Sequence, residues 1–235
     1  MILKRSTNIN LIELKEHFQD PFPNAAPINS IEVISQWMEL QQVYNAAISE
    51  VSTKLEILDE EFQIHYAHNP IHHIECRLKS TQSIAGKVKR LGLPREFPTI
   101  KEKVLDIAGI RVICNYLDDI YTVENLLLGQ NDIQLIKRKD YIKNPKKSGY
   151  RSLHIIVSVP VFLSKKTEIV PVEIQLRTIA MDYWASLEHK LQYKTKSSDT
   201  EIYRQQLIDC ADQLAKIEDT MKNIHLHIES EDEDA

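Results

Sequence analysis

The stretch PVEIQLRT, residues 171–178, alternates apolar and polar side chains without interruption. The apolar positions are Val172, Ile174 and Leu176. The polar positions are Glu173, Gln175 and Arg177. This period of two predicts a β-strand that turns one face toward a hydrophobic core. A face that carries chemistry and a face that merely meets solvent would give the same alternation, so the strand alone leaves both open.

Further strand candidates surround this stretch and alternate with helical patterns. Segments rich in β-branched residues are 104–116, 132–142, 151–163 and 168–176, and helical segments are 80–91 and 117–128. The link between the last two strands, Ser164 to Thr167, is short, which predicts an antiparallel hairpin and hence a mixed sheet. The predicted fold class is α/β, with a mixed sheet core flanked by helices.

Long helices are predicted on both sides of this core. Apolar residues at alternating spacings of four and three run from Tyr44 to Phe62 and again from Tyr203 to Ile228. These two seams offer more apolar surface than one side of a small sheet can cover, so we expect a homo-oligomer. Packing of the two helices against each other within one chain is the alternative.

The predicted division of the chain has four parts. Residues 1–70 form an N-terminal helical region that includes a short helix near Leu11 to Phe18, and residues 71–195 form the core. Residues 196–228 form a C-terminal helix. Residues 229–235, with five acidic side chains and no basic one, are expected to be a disordered tail.

Composition excludes several classes of protein. The 235 residues are 43% hydrophobic, without an apolar run of membrane-spanning length or a signal-like start, so a cytoplasmic protein is expected. Only five glycines occur, and their spacing fits neither the dinucleotide-binding fingerprint nor the P-loop. Three scattered cysteines, Cys76, Cys114 and Cys210, support neither disulfides nor a paired-cysteine zinc site. Any phosphate binding must therefore rely on charged side chains.

The basic stretch RLKSTQSIAGKVKR, residues 77–90, is one such candidate. It carries five bases and no acid. If a strand ends near Lys79 and a helix follows, one surface collects the residues Arg77, Lys79, Ser83, Lys87 and Arg90. Cations at a helix start suit a polyphosphate, although a plain basic helix would look the same.

Two carboxylates interrupt or follow apolar strands. Asp106 lies in VLDIAGIRVIC, residues 104–114, together with Arg111, and Glu173 lies on the polar face of the later strand. Asp106 and Arg111 would point to opposite faces of an unbroken strand, so a shared site requires an irregularity, for which Gly109 is the candidate. Separate ion pairs at the sheet margin are the alternative. Two carboxylates beside a basic cluster match metal-assisted phosphoryl transfer.

Two later segments add candidates for recognition of a base. Tyr150 follows Gly149 in KNPKKSGYRSLH, residues 143–154, where an aromatic ring among cations is typical of base stacking, although an ordinary hairpin turn and a structural His154 fit as well. The helix after the last strand carries Asp182, whose carboxylate can accept the two donors of a guanine edge. The apolar face expected to be buried there comprises Ala180, Tyr183, Leu187 and Leu191.

A dense set of metal-ligating side chains precedes the basic stretch. It comprises His65, His68, His72, His73 and Cys76. Its spacing matches no established ligand pattern, so surface or core histidines at a helix-to-strand junction are the preferred interpretation over a transition-metal site.

The four motifs together, in this order, resemble the small alarmone synthetases, closest to the RelP type. These are the series from Arg77 to Arg90, DIAGIRV, KSGYRSLH, and EIQLRT followed by AMDYWASLEHKLQYK. The resemblance implies a nucleotidyltransferase-like synthetase core and transfer of pyrophosphate from ATP to the ribose 3′-hydroxyl of GDP or GTP, which makes the stringent-response alarmones ppGpp and pppGpp. It further implies Mg²⁺ as cofactor and a tetramer as the assembly.

The resemblance also implies residue roles. The ATP phosphates would be bound by Arg77, Lys79, Ser83, Lys87 and Arg90. Adenine would lie between Arg77 and Arg111. The metal and catalysis would involve Asp106 and Glu173, the latter as metal contact or general base. The acceptor nucleotide would be bound by Tyr150, Lys146, His154, Asp182 and Gln175.

Other function classes stay open from the sequence. A nucleotidyltransferase that extends RNA would use similar residues but should carry a third acid beside Asp106, and none is present. A non-catalytic RNA-binding protein would have no need of both Asp106 and Glu173, so a nucleic-acid partner is not expected. The sequence contains no His-Asp dipeptide of the kind found in the hydrolase domain of long Rel enzymes, so synthesis alone is expected.

Overall fold

The computed structural model describes residues 30–194 and 200–233. The elements in chain order are α1 (Ser30–His65), β1 (Ile71–Leu78), α2 (Thr81–Arg90), α3 (Phe97–Lys103), β2 (Ala108–Cys114), α4 (Leu117–Leu128), β3 (Gln134–Asp140), β4 (Leu153–Phe162), β5 (Thr167–Thr178), α5 (Ile179–Lys194) and α6 (Thr200–Glu233). The predicted α/β class and strand segments are confirmed. The predicted helix near Leu11 to Phe18 lies outside the described residues.

The five strands form one mixed sheet in the order β1-β2-β5-β4-β3. Strands β2 and β5 are parallel, while the other neighbouring pairs are antiparallel. The predicted hairpin is confirmed, since Phe162 on β4 pairs with Thr167 on β5. The sheet therefore places β2 and β5, the strands nearest the two carboxylates, side by side at its centre.

Helix α1 covers the sheet with the seam expected from its sequence. It packs against β1, β2, β4 and β5. Tyr44, Val51 and Leu55 are almost fully buried there, as is Ile174 on β5, within one continuous core. The N-terminal seam is thus satisfied by the chain's own sheet and leaves little for a partner subunit.

Helix α5 buries a different face from the predicted one. Tyr183 and Leu191 are more than half exposed, at 59% and 53%, whereas Met181, Trp184 and Ala185 are buried. The reason is that α5 packs against α6 as well as the sheet, and the Trp184 indole N–H donates to the backbone carbonyl of Leu207 on α6 at 2.8 Å. The contact with α6, which is distant in sequence, decides which stripe of α5 is buried.

The seam of α6 is largely exposed. Ile217, Met221, Ile224 and Ile228 are each more than half exposed. The helix continues to Glu233, beyond the predicted boundary at 228 and into the segment expected to be a disordered tail. Glutamate is a good helix former, so an acidic sequence of this kind can extend a helix that has already been nucleated.

The irregularity expected at Gly109 is found elsewhere. Strand β2 begins at Ala108, so Asp106 lies in the turn before the strand. Its side chain therefore does not follow the alternation of side chains between the two faces of β2. Gly109 itself has ordinary backbone geometry, and an added Cβ would lie 3.5 Å from the Arg77 carbonyl oxygen, an unstrained contact. The expectation of a bulge at Gly109 is therefore wrong.

None of the helices in the described ranges combines the length and the apolar character that a membrane crossing requires.

Candidate active site

One face of the sheet carries the polar residues predicted from the alternation of β5. Gln175 on β5 pairs in register with Arg111 on β2, and Arg111 pairs with Glu75 on β1. Glu173 pairs with Gly109 on β2 in the same way. Residues opposite one another in a ladder point to the same face, so these side chains line a single surface.

A cluster of charges lies where β1 ends and α2 begins; we call it the donor corner. Lys79 follows the last residue of β1, and its ammonium lies 2.9 Å from Asp106 Oδ2. Lys87, two helical turns into α2, lies 2.8 Å from Asp106 Oδ1. Arg77 and Arg90 of the basic stretch are exposed. Of the residues predicted to share one surface, the structure brings Lys79 and Lys87 together at Asp106.

The start of α2 is capped within this corner. The Ser83 backbone N–H donates to Ser80 Oγ at 3.3 Å, and the Ser80 hydroxyl donates to Ser83 Oγ at 2.8 Å. The helix has no acidic residue in its first turn. Its N-terminal dipole is therefore left to favour an external anion.

Both carboxylates are held in the ionised form. Burial opposes ionisation of Asp106, but the hydrogen bonds from Lys87 and Lys79 outweigh it and lower the pKa. Burial likewise opposes ionisation of Glu173, and contacts with His154 and Gln175 outweigh it and lower that pKa also. Two ionised carboxylates are available for cation binding or for acceptance of a proton.

The residues present fit a magnesium ion. Asp106 lies three residues before Gly109, the β2 partner of Glu173, and its charge acts to raise the pKa of Glu173. Within the described residues no group of three or more His, Cys, Asp or Glu side chains could form an all-protein metal site. Mg²⁺ is commonly bound by one or two carboxylates, with substrate phosphates and water as its other ligands, and that is the donor set found here.

A second cluster, the acceptor corner, lies at the other side of Glu173. The Tyr150 hydroxyl and His154 Nε2 are 2.7 Å apart, and His154 Nδ1 lies 3.6 Å from Glu173 Oε1. The Lys146 ammonium lies 4.4 Å from the centroid of the Tyr150 ring and 4.6 Å from that of Tyr141. Tyr150, Lys146 and His154 are thus brought together as predicted.

The turn that presents Tyr150 depends on Gly149. Its φ of 90° is in the left-handed region, and its N–H donates to the Lys146 carbonyl at 2.8 Å. A Cβ at this position would lie 3.2 Å from Ala211 Cβ on α6. Glycine is required here both by backbone conformation and by the close approach of α6.

Arg177 was given no role from the sequence, yet it occupies the centre of the acceptor corner. It is only 6% exposed. Its guanidinium donates to the Tyr150 hydroxyl at 2.7 Å, to Gln175 Oε1 at 3.0 Å and to Asp182 Oδ1 at 3.0 Å. Its place on the polar side of the β5 alternation was the only available signal.

Asp182 and Arg111 connect the two corners. Arg111 lies 2.8 Å from Glu75 Oε2 and 3.4 Å from Asp182 Oδ1, so the Asp182 carboxylate is shared between Arg111 and Arg177. Glu75 and Tyr141 were not identified from the sequence, because they enter the site only through strand register and loop packing. Arg77 lies two residues beyond Glu75 on the same face of β1 and is therefore the diagonal neighbour of Arg111.

The five metal-ligating side chains near β1 do not converge. His68 contacts the Asp119 carboxylate at 2.9 Å and lies against His225 of α6. His72 and His73 contact each other through their Nδ1 atoms at 2.7 Å, and Cys76 is exposed. His65 ends α1. In the part of the chain that the structure describes, no three of these side chains come together as a possible metal site.

Comparison with known proteins links this geometry to a family. Residues 76–198 match the region found in RelA / SpoT proteins. The chain is 40% identical over 197 residues to the GTP pyrophosphokinase YwaC of Bacillus subtilis, which covers 84% of this chain and 94% of that protein.

Solved structures agree with this match. Small alarmone synthetase 1 from Bacillus subtilis bound to its product pppGpp aligns with a TM-score of 0.75 at 32% identity, over 82% of this chain and 98% of the other. The same enzyme bound to AMPCPP aligns with a TM-score of 0.68 at 28% identity, over 83% and 98%.

Proposed function

The chain belongs to the RelA / SpoT family as a small alarmone synthetase with GTP pyrophosphokinase activity, and we propose that it transfers the β,γ-pyrophosphate of ATP to the ribose 3′-hydroxyl of GDP or GTP. The products would be ppGpp and pppGpp. The related structures that contain pppGpp or AMPCPP support nucleotides as its substrates. The RelP type stays a prediction.

One observation carries this proposal. Glu173 is an ionised carboxylate between the donor corner, with Asp106, and the acceptor corner, with His154 and Tyr150. A transfer between two nucleotides requires a proton acceptor placed between a surface that binds phosphates and a surface that stacks on a nucleobase. Neither an RNA-binding surface nor an isolated phosphate site would need this arrangement.

The donor corner is proposed to bind ATP. Its cations, which would neutralise the phosphates, are Arg77, Lys79, Lys87 and Arg90. Ser83, at the capped start of α2, would be an additional hydrogen-bond donor. Diagonal neighbours on paired strands are about 7 to 8 Å apart, which is room for one planar ring between two guanidinium groups. Adenine is accordingly proposed to lie between Arg77 and Arg111.

Magnesium is proposed as the cofactor, held by Asp106 and Glu173. When bound it would neutralise the developing charge on the phosphate oxygens. Asp106 is paired with Lys79 and Lys87, and if Asp106 held the ion, these two ammonium groups would be available to the phosphates. The same two lysines would thus exchange one anionic partner for another.

The acceptor corner is proposed to bind GDP or GTP. Tyr150 would stack on guanine, Asp182 would lie near the guanine edge, and Lys146 and His154 would face the phosphates. Gln175 would hold Glu173 in place beside this corner, since its amide donates to Glu173 Oε2 at 3.0 Å. These assignments rest on the resemblance together with the clustering described above.

The chemical step follows from this placement. Glu173 would accept the proton of the 3′-hydroxyl while that oxygen attacks the β-phosphorus of ATP. A bond from the 3′-oxygen to the β-phosphorus forms, the bond from the β-phosphorus to the α,β-bridging oxygen breaks, and AMP departs with that oxygen. Because attack and departure must be in line, positioning by the two corners supplies much of the rate.

Two further features of the proposal concern assembly and reaction range. Synthesis without hydrolysis is proposed because the sequence has no His-Asp dipeptide. Self-association is proposed because Tyr183 on α5 and the seam of α6 leave apolar side chains exposed on the single chain. A tetramer is proposed as the assembly because the resemblance implies it. The cytoplasmic location stays a prediction.

The test is product identification. The protein is incubated with Mg²⁺, ATP and GDP or GTP, and the products are analysed by mass spectrometry. Guanosine carrying a new pyrophosphate, together with AMP, supports the proposal. As a matched control, 3′-deoxy-GTP should give no product because the attacking oxygen is missing. Nucleotide-extended RNA would instead indicate a polymerising transferase, and no product in any mixture would contradict catalysis.

A further inference from the structure

Arg177 is the only lysine or arginine among the buried side chains of the described residues. It lies on the polar face of β5, beside Gln175 and Glu173 in the alternation. Removing a guanidinium from water costs free energy unless its N–H groups find partners. The reason for its burial must therefore lie in what it contacts.

All the partners of Arg177 belong to the acceptor corner. One terminal nitrogen donates both to the Tyr150 hydroxyl and to Gln175 Oε1, and the other donates to Asp182 Oδ1. Its guanidinium carbon also lies 5.2 Å from the centroid of the Tyr150 ring. Arg177 thus contacts Tyr150 in two ways, through a hydrogen bond to the hydroxyl and through the approach of its guanidinium to the aromatic ring.

Burial of Arg177 is not explained by a contribution to the stability of the fold alone. Arg177 Nε is buried and has no hydrogen-bond partner within the described structure. An apolar side chain at a buried position often stabilises a fold as well as a buried ion pair does. A buried arginine with one unsatisfied donor is more typical of a site that is held in a defined geometry for function.

We propose that Arg177 is a positioning residue for the acceptor nucleotide, which fixes the ring of Tyr150 and the carboxylate of Asp182 and ties both, through Gln175, to Glu173. This rests on the proposed function, since it takes Tyr150 and Asp182 as guanine contacts. A planar guanidinium fork holds several acceptors in one plane, so the stacking surface is formed before the nucleotide arrives.

Loss of Arg177 should affect the binding of one of the two substrates. Lys79, Lys87 and Asp106 form the donor corner without contact to Arg177. Loss of the guanidinium should therefore weaken guanine nucleotide binding much more than ATP binding. A residue that served only folding would lower thermal stability and leave the ratio of the two affinities unchanged.

The experiment compares Arg177→Gln and Arg177→Lys with the wild-type protein. Dissociation constants for GDP and for AMPCPP are measured by calorimetry, and kcat, both KM values and the unfolding temperature are measured in parallel. Arg177→Gln should raise the dissociation constant for GDP at least tenfold and change that for AMPCPP less than threefold. Arg177→Lys should fall between, because an ammonium keeps the charge but cannot serve three acceptors in one plane.

Arg138→Lys is the matched control. Arg138 donates two hydrogen bonds to the Glu124 carboxylate, and it lies on β3 outside both corners. Its GDP and AMPCPP dissociation constants should stay within twofold of the wild-type values. A rise in the GDP dissociation constant of Arg138→Lys as large as that of Arg177→Lys would overturn the assignment, because replacement of an arginine outside the site would then weaken GDP binding equally.

Two further outcomes are decisive. A fall in unfolding temperature of Arg177→Gln with an unchanged GDP dissociation constant would overturn the positioning role. If Arg177→Gln does not fold, Arg177→Lys is the test: a three- to tenfold rise in the GDP dissociation constant, with that for AMPCPP changed less than threefold, supports the role, and no rise overturns it. If the wild-type protein forms no pyrophosphorylated guanosine, the proposed function fails, while the same GDP measurements still decide the role of Arg177.

Discussion

Lys87 Nζ lies 2.8 Å from Asp106 Oδ1, which joins helix α2 to the turn before β2. Lys79 approaches the other oxygen of the same carboxylate, and the pKa of Asp106 is lowered from its ordinary value of 3.8 despite the opposing effect of burial. A carboxyl group whose pKa is lower in the folded state stabilises the fold above its unfolded pKa. That contribution is lost as the pH falls through the folded pKa.

We therefore expect the stability advantage of the wild-type protein over Asp106→Asn to depend on pH. It should be fully present between about pH 5 and 7 and should shrink below pH 3.8, as the carboxylate of the wild-type protein takes up a proton. Urea unfolding of both proteins from pH 3 to 7 measures the difference in free energy of unfolding. A difference that is equal at pH 3 and pH 7 would contradict the ion pairs.

Glu173→Gln should abolish turnover and leave ATP binding nearly intact. Loss of a general base or metal ligand lowers the rate by about 100-fold or more. Glu168→Gln is the matched control on the same strand, since Glu168 pairs with Lys101 and Lys166 away from both corners. Single-turnover rates and AMPCPP calorimetry provide the readouts, and a rate of Glu173→Gln near that of the control would exclude the role.

Tyr150→Ala should weaken the guanine nucleotide by about 1 to 3 kcal/mol, the contribution of one base stack, and affect ATP less. Tyr66→Ala removes another tyrosine, one that is 58% exposed and contacts Phe62 outside the site, and serves as control. Calorimetric titration with GDP and AMPCPP compares the two. Equal losses for both nucleotides would show that Tyr150 is not a guanine platform.

Gly149→Ala and Gly86→Ala should have opposite effects on stability. At Gly149 the φ of 90° and the contact with α6 make alanine strained, with a cost of about 1 to 2 kcal/mol. Gly86 lies within α2 with nothing closer than 4 Å to an added Cβ, so alanine should stabilise that helix by about 0.5 to 1 kcal/mol. Denaturant unfolding decides the signs, and a stable Gly149→Ala would refute the tight approach of α6.

Ile217→Glu should dissociate the assembly if the α6 seam is an interface between subunits. Ile217 is 57% exposed, whereas Leu214 packs against the Trp184 cluster, so Ile217 is the cleaner position for a charge. Phe162→Glu, at a 75% exposed residue at the end of β4, is the control and should not change the mass. Light scattering near 27 kDa for the wild-type protein at micromolar concentration would itself rule out self-association.

The strands and the long helices could be predicted because their signals are local. The alternation of Glu173 with Ile174 and the spacing from Lys79 to Lys87 depend only on the period of one element. Helix α3 could not be predicted in this way, since its seven residues give less than two turns of periodicity.

The arrangement within the acceptor corner was harder to foresee. The burial of Trp184 in place of Tyr183 is decided by α6, which follows in sequence but packs through tertiary contacts. Arg177 and Glu75 enter the site through pairings between distant segments, which a single sequence does not encode as a pattern. The loop around Gly149 indicated Tyr150, and the resemblance gave His154 a role, but neither predicted that Arg177 holds the Tyr150 hydroxyl.

The pairing of Gly109 with Glu173 limits how this enzyme can change its chemistry. Strands β2 and β5 are neighbours in a parallel ladder with an interstrand spacing of about 4.8 Å, so under the proposed function Glu173 and the residues beside Gly109 are held at a fixed separation. Both strands belong to one five-stranded sheet, so neither can shift without breaking the ladder between them. A redesign aimed at another acceptor could therefore be confined to the turn around Gly149 and the first turn of α5, with the ATP half left as it is.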